Sequence, residues 1–211
     1  MDADAGAGAD AGPVEAGIGS YADLLTDGLA VRDGFLSAHR ICALVECAER
    51  RRARGEFLAA GVGAGRQSRQ SGEIRGDSTC WLGEPLFDAE RWVLRELERL
   101  RLDLNREGLL GLFDLEMHYA RYPVGAGYAR HVDQLQGSGA RRVSVIVYLN
   151  IGWPGSAGGE LRVFGAGQTH CDIEPLGGRL VSFLTEGREH TVLAARRERL
   201  SLSGWFRRRG P

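Results

Sequence analysis

The chain has 211 residues, 27 basic and 28 acidic, with a net charge of −1 and 43% hydrophobic side chains. That length supports one domain with a substantial core and is too short for two ordinary catalytic domains. The near-neutral balance removes any electrostatic ground for general binding to nucleic acid or to a membrane surface.

Every basic residue is Arg, which reads as compositional bias because Lys would serve equally as a surface charge. Cys42, Cys47, Cys80 and Cys171 lack both the paired spacing of a zinc site and the density of a disulfide scaffold, so free thiols in a cytoplasmic protein are expected. The acidic N-terminus has no apolar core of a signal peptide, and no stretch reaches the length of a membrane span.

Residues 1–19 are largely Ala, Gly and Asp, with too little to bury to offset the entropy of ordering, and read as a flexible tail. Residues 20–211 are expected to form a single domain. Residues 28–34 predict a short strand bounded by glycines, and Ser37 caps a helix running to about Arg54, with Ile41, Leu44 and Ala48 on one face. A second helix from about Asp88 puts Val93, Leu97, Leu100 and Leu104 on an apolar stripe. Both helices read as packing supports.

Beyond Gly108 the chain turns to short β-like runs between glycine-rich turns, at 109–122, 128–133, 142–150, 160–164, 179–184 and 199–206. Many short strands after two helices predict an antiparallel jelly roll of the cupin type, mainly β, with the helices packed on one side. A parallel α/β fold would need crossover helices, and none is visible.

His131-Val132-Asp133 falls in a predicted strand, where residues two apart share a face, so imidazole and carboxylate can reach one point. A His-x-Asp tripeptide also occurs by chance as a solvated pair. His118, His170 and His39 have no acidic neighbour at strand spacing and read as structural. His190 precedes the alternating run from Arg199 through Ser201 and Ser203 to Trp205. An interior strand with Arg and two Ser is costly unless a buried anion pairs the guanidinium, which points to a carboxylate ligand; a surface strand with Arg199 in water is the alternative. Two His and one Asp with open positions suit non-haem iron(II) better than zinc.

These segments, with Ile74-Arg-Gly-Asp77 and Trp81, Tyr122-Pro, Gly127 through Asp133, Val147 through Asn150, Gly158 through Phe164, Asp172 through Pro175 and His190 through Trp205, resemble the 2-oxoglutarate- and iron(II)-dependent prolyl 4-hydroxylases. The likeness is greatest to the hypoxia-inducible-factor prolyl hydroxylase group and its bacterial relatives. The resemblance implies a double-stranded β-helix in which His131, Asp133 and His190 bind iron. It implies that Arg199 and Tyr148 hold the distal carboxylate of 2-oxoglutarate, and that Tyr122, Tyr128, Ser203 and Trp205 line the cosubstrate pocket.

Dioxygen is then the second cosubstrate, with ascorbate as a candidate reductant. By the same resemblance Arg75 lies near the substrate and Asp77 pairs with Arg141 across the mouth, under a mobile flap from about Arg66 to Trp81. Ordinary strand aromatics, a core Trp205 and an exposed charged turn at Arg75-Gly-Asp77 are the competing readings. The turn between Tyr122 and Tyr128 is one residue shorter than in the animal enzymes, and Gln134-Leu-Gln136 replaces their Asn-Pro, which alters the entrance more than the metal site.

The implied activity is hydroxylation of a proline in a protein loop, releasing succinate and CO2, with a translation elongation factor as the specific candidate target. Hydroxylation of a free amino acid or other small molecule, and a metal-binding cupin module without turnover, are the alternatives. The Arg199 and Tyr148 pair argues against the last, because a module that binds only metal has no use for a carboxylate clamp. Oligomeric state is not legible.

Overall fold

A computed structural model describes residues 20–61, 74–133, 140–165 and 169–209. The expected tail, the first half of the expected flap and Gln134-Leu-Gln136 lie outside these residues. Among the described residues three α-helices, α1 (Ser20–Thr26), α2 (Ala38–Ala53) and α3 (Asp88–Gly108), accompany eleven strands. The strands are β1 (Leu29–Arg32), β2 (Leu58–Ala59), β3 (Ser78–Trp81), β4 (Leu112–Tyr122), β5 (Tyr128–His131), β6 (Arg141–Tyr148), β7 (Leu161–Phe164), β8 (His170–Ile173), β9 (Leu180–Leu184), β10 (His190–Val192) and β11 (Arg199–Arg208).

They form a seven-stranded sheet ordered β1-β9-β6-β11-β4-β3-β2 and a four-stranded sheet ordered β5-β10-β7-β8. The paired strands run antiparallel. This is the double-stranded β-helix that the strand-rich pattern predicts. No helix among the described residues is long and apolar enough to cross a membrane.

The helices sit where the apolar stripes put them. Ser37 caps α2 by accepting a hydrogen bond from the Arg40 amide at 3.4 Å, and Ile41, Leu44 and Ala48 are buried. In α3, Val93, Leu97, Leu100 and Leu104 are buried against the same core. Arg51 of α2 grips Glu90 of α3 through two 2.7 Å hydrogen bonds, and Glu90 also accepts from the Phe87 amide at 2.9 Å. A buried pair so fully hydrogen-bonded fixes how the helices meet more than it adds stability.

Strand periodicity then divides the large sheet. Val143, Val145 and Val147 of β6, Leu200, Leu202 and Phe206 of β11, and Met117 and Tyr119 of β4 join the core formed with α2 and α3. Ala120, Tyr122 and Tyr148 leave by the opposite face and pack with Leu161, Val163 and Val192 of the small sheet. Because side chains alternate along a strand, the residues between the first set must line the space between the sheets.

Three differences from the sequence reading have local causes. The fifth strand ends at His131 and leaves Asp133 in a bend. The edge strand β8 was not expected, since His170, Cys171 and Asp172 are exposed and show no alternation. The short α1, β2 and β3 carry too few residues for any periodicity to register.

Candidate active site

His131 closes β5 and His190 opens β10, and the two are directly opposed in the antiparallel register. Opposed residues share a sheet face, so the imidazoles meet, with ring centroids 4.1 Å apart. The bend after β5 swings Asp133 back to them. Its Oδ1 lies 3.6 Å from His131 Nε2 and its Oδ2 3.5 Å from His190 Nε2. One ligand atom from each residue lies within 4.8 Å of the others, an arrangement able to hold a metal ion.

Hydrogen bonds behind the ligand atoms prepare them for that task. His131 Nδ1 donates to the Ala129 carbonyl at 2.7 Å and His190 Nδ1 to the Arg188 carbonyl at 3.3 Å. A carbonyl only accepts, so each Nδ1 carries a proton and each Nε2 is the nitrogen left facing Asp133, where a metal ion would be bound. Ser144 Oγ donates to Asp133 Oδ2 at 2.6 Å. Burial alone would raise the Asp133 carboxyl, but His190, His131 and the Ser144 hydroxyl outweigh it and hold the group well below the usual carboxylate range. Burial lowers His190, against the pull of Asp133. The site thus sets an ionised carboxylate beside the Nε2 atoms of two imidazoles, a donor set suited to a cation.

Arg199 opens β11 at the far end of the cavity and is only 2% exposed. Its Nε donates to the Gly159 carbonyl at 3.1 Å, and among the described residues no carboxylate pairs with it. Gly159 sits at φ +78°, and a Cβ there would lie 2.8 Å from that of Ala195, so glycine is what lets this carbonyl approach. The guanidinium lies 4.9 Å from the Tyr148 ring centre and 5.2 Å from that of Tyr122. The Tyr148 hydroxyl is buried without a hydrogen-bond partner. Burial raises both tyrosines, only partly opposed by Arg199, which keeps them protonated donors. A buried cation and a buried O–H with no acceptor are costly inside a protein core; a small carboxylate would satisfy both. The donor set at one end and these groups at the other therefore fit a metal and a dicarboxylate.

The wall between them includes Tyr122, Tyr128, Ser203 and Trp205, together with Ile146 and Val192. Ser203 Oγ is 3.1 Å from Ser201 Oγ. Trp205 belongs to the cavity and is not simply a core residue: its ring is 3.5 Å below the Arg141 guanidinium, and its indole N–H has no partner.

One expected pair does not form. Asp77 binds Arg75, at 2.6 and 3.0 Å, while Arg141 binds Glu116 at 2.7 Å and the Asp133 carbonyl at 3.3 Å. Asp77 follows Arg75 by two residues on the same extended stretch, so the local carboxylate outcompetes a distant guanidinium. The Arg75-Gly-Asp77 segment is also no exposed turn, since Asp77 is 4% exposed.

His118, read as structural, lines the cavity instead. It pairs in register with Ser203 and Trp81, and its ring lies 4.7 Å from Trp81 and 5.5 Å from Trp205. Burial pushes it down to about 3, so it is neutral, and its Nδ1 has no partner. Only cross-strand register places it there, and that is not readable from its sequence neighbours. The cysteines are free, as expected.

A double-stranded β-helix with this donor set fits the class of mononuclear non-haem iron proteins. The 2OG-Fe(II) oxygenase superfamily pattern matches residues 117–207. The crystal structure of a Pseudomonas putida prolyl-4-hydroxylase superposes with a TM-score of 0.82 at 41% identity, over 90% of this chain and 98% of that one. A Trichoplax adhaerens prolyl hydroxylase, solved in complex with a hypoxia inducible factor oxygen degradation domain peptide fragment, gives 0.81 at 25% identity over 89% and 87% of the two chains.

Human Egl nine homolog 1 is 35% identical over 150 residues, covering 66% of this chain; the chain spans 34% of the length of that curated relative. The chain belongs to the 2OG-Fe(II) oxygenase superfamily, whose metal is iron(II) and whose cosubstrates are 2-oxoglutarate and dioxygen.

Proposed function

We propose that the chain is a 2-oxoglutarate-dependent prolyl 4-hydroxylase acting on a proline in a protein loop, within a single catalytic domain spanning residues 20–211. His131, Asp133 and His190 hold the iron, and Arg199 with Tyr148 holds the distal carboxylate of 2-oxoglutarate. The observation that carries this reading is the buried Arg199, with no carboxylate partner among the described residues and beside the orphaned Tyr148 hydroxyl, lining the same cavity as His131 and Asp133 of the His-Asp-His set. When bound, iron and 2-oxoglutarate supply the activation of dioxygen and its insertion into a C–H bond, with release of succinate and CO2.

The residues of the chain provide the setting. Arg199 and Tyr148 orient the cosubstrate through a charge-assisted pair and a hydrogen bond. Tyr122 and Ser203 border it, and Ile146 and Val192 exclude water from the reacting centre. Ser144 holds Asp133 in place. Trp205 and Arg141 form one side of the mouth, Tyr128, Arg75 and Asp77 another, and a prolyl segment enters between them.

The prolyl substrate is supported by the likeness to the Pseudomonas and Trichoplax enzymes, and a translation elongation factor is the specific candidate target. The test is incubation with iron(II), 2-oxoglutarate and bacterial lysate, followed by mass spectrometry. Prolines gaining one oxygen, with succinate formed in step, are expected. Oxygen added only to free amino acids or other small molecules would contradict the protein substrate, and absence of succinate under every condition would contradict the enzyme.

A further inference from the structure

We propose that Arg75 is a positioning residue for the metal centre: anchored by Asp77, it clamps the Tyr128 ring flat against His131 and so sets the orientation of that imidazole. This rests on the reading of His131 as a metal ligand.

The chain segment carrying Arg75 is fastened to β5 through its backbone. The Ala129 amide donates to the Ile74 carbonyl at 2.8 Å and the Gly76 amide to the Gly127 carbonyl at 3.0 Å, giving an antiparallel bridge between Arg75 and Tyr128. The two stretches approach so closely that a Cβ on Gly76 would lie 2.8 Å from that of Ala126. Residues 74–77 therefore act as a short added strand on the edge of the small sheet that ends in His131.

The side chains continue the connection. Arg75 spends its Nε and one Nη on the Asp77 carboxylate, whose side chain is 0% exposed against 16% for Arg75. The guanidinium carbon lies 4.8 Å from the centre of the Tyr128 ring. That ring is itself stacked on the His131 imidazole, with centroids 3.5 Å apart and planes 16° from parallel. The 2.7 Å hydrogen bond from His131 Nδ1 to the Ala129 carbonyl fixes the ring at one atom, and the stack restrains rocking about that atom. A ligand needs both restraints, because its lone pair must point at one place.

A buried ion pair is weak evidence for stability and better explained where it specifies geometry. Were Arg75 mainly a substrate contact, its two-point donor edge would face the cavity; here that edge is committed to Asp77. Outer partners of metal ligands typically alter metal affinity by about 10- to 100-fold.

The test is calorimetric titration of Mn(II) into metal-free protein, without cosubstrate or substrate, for wild type, Arg75→Met, Asp77→Asn, Arg75→Lys and His131→Ala. Arg75→Met and Asp77→Asn are expected to weaken Mn(II) binding by roughly 10-fold or more and to change the visible absorption of the Co(II) form, a readout that a merely structural role leaves alone. Arg75→Lys, which keeps the charge and loses the planar group, falls between them and wild type.

Wild-type Mn(II) affinity and an unaltered Co(II) spectrum in either Arg75→Met or Asp77→Asn overturn the proposal while leaving the metal site standing, provided His131→Ala loses Mn(II). If His131→Ala binds Mn(II) as wild type does, the ligand assignment itself fails and this inference with it. Should Arg75→Met not fold, Asp77→Asn and Arg75→Lys decide the question on the same measurements.

Discussion

The two faces of the large sheet are built from the same strands and obey opposite rules. On the helix side, Val145, Leu202 and Phe206 are each 0% exposed and belong to one apolar cluster with the helices; that face is complete as it stands. On the other side β11 presents Arg199, Ser201, Ser203 and Trp205, and β4 presents His118. Arg199, with no carboxylate partner among the described residues, and the unpaired polar atoms of Tyr148, Trp205 and His118, mark that face as unfinished. A core selected only for stability would not keep such groups. One face holds the fold together, and the other gives up stability to receive ligands.

That contrast predicts different consequences for substitutions on the two faces. The largest effect on chemistry belongs to the metal end: His131→Ala abolishes iron-dependent conversion of 2-oxoglutarate to succinate, measured by mass spectrometry, while thermal unfolding of the metal-free protein changes little. Retained turnover would break the assignment. The largest effect on stability belongs to the helix side, where Leu202→Ala costs about 2–5 kcal/mol in denaturant unfolding and leaves 2-oxoglutarate affinity of the folded fraction unchanged.

A smaller effect, of opposite character, is expected at Tyr148. Tyr148→Phe weakens 2-oxoglutarate binding by about 1.5 kcal/mol, roughly tenfold, but removes an unsatisfied buried hydroxyl, so the metal-free protein melts at the same temperature or higher. A lower melting temperature would show that the hydroxyl is already paired within the fold.

The smallest effect is the pH dependence from His118. Its folded value is depressed to about 3 from an ordinary 6.5, so below pH 6.5 the unfolded chain binds a proton that the folded chain refuses. Its contribution is fully present above pH 6.5 and is lost progressively as pH falls towards 3. His190, also lowered by burial, acts in the same direction. His118→Phe should flatten part of the decline in melting temperature between pH 7 and 4, and an unchanged slope would mean that His118 is not buried neutral.

The polar face was readable wherever strand period alone determines direction. Arg199, Ser201, Ser203 and Trp205 alternate with Leu200, Leu202 and Phe206, and a period of two sends them to opposite sides. The His-x-Asp spacing gave the right neighbours for a partly wrong reason, since β5 stops at His131 and a bend returns Asp133 to the site.

What sequence could not provide is registration between distant strands. His118 enters the cavity because β4 lies between β11 and β3 in one particular register, which depends on tertiary packing that no window of sequence contains. The Asp77–Arg75 pair is instead a local contact two residues apart, open to a reading of the spacing alone.

The most direct test of the unfinished face is calorimetric titration of 2-oxoglutarate into Mn(II)-loaded and metal-free protein, for wild type and Arg199→Ala. Tight binding is predicted only for Mn(II)-loaded wild type, with a loss of about 3 kcal/mol, roughly 100-fold, in Arg199→Ala while Mn(II) affinity stays the same. Equal 2-oxoglutarate affinity in Arg199→Ala, or binding indifferent to the metal, would contradict the account.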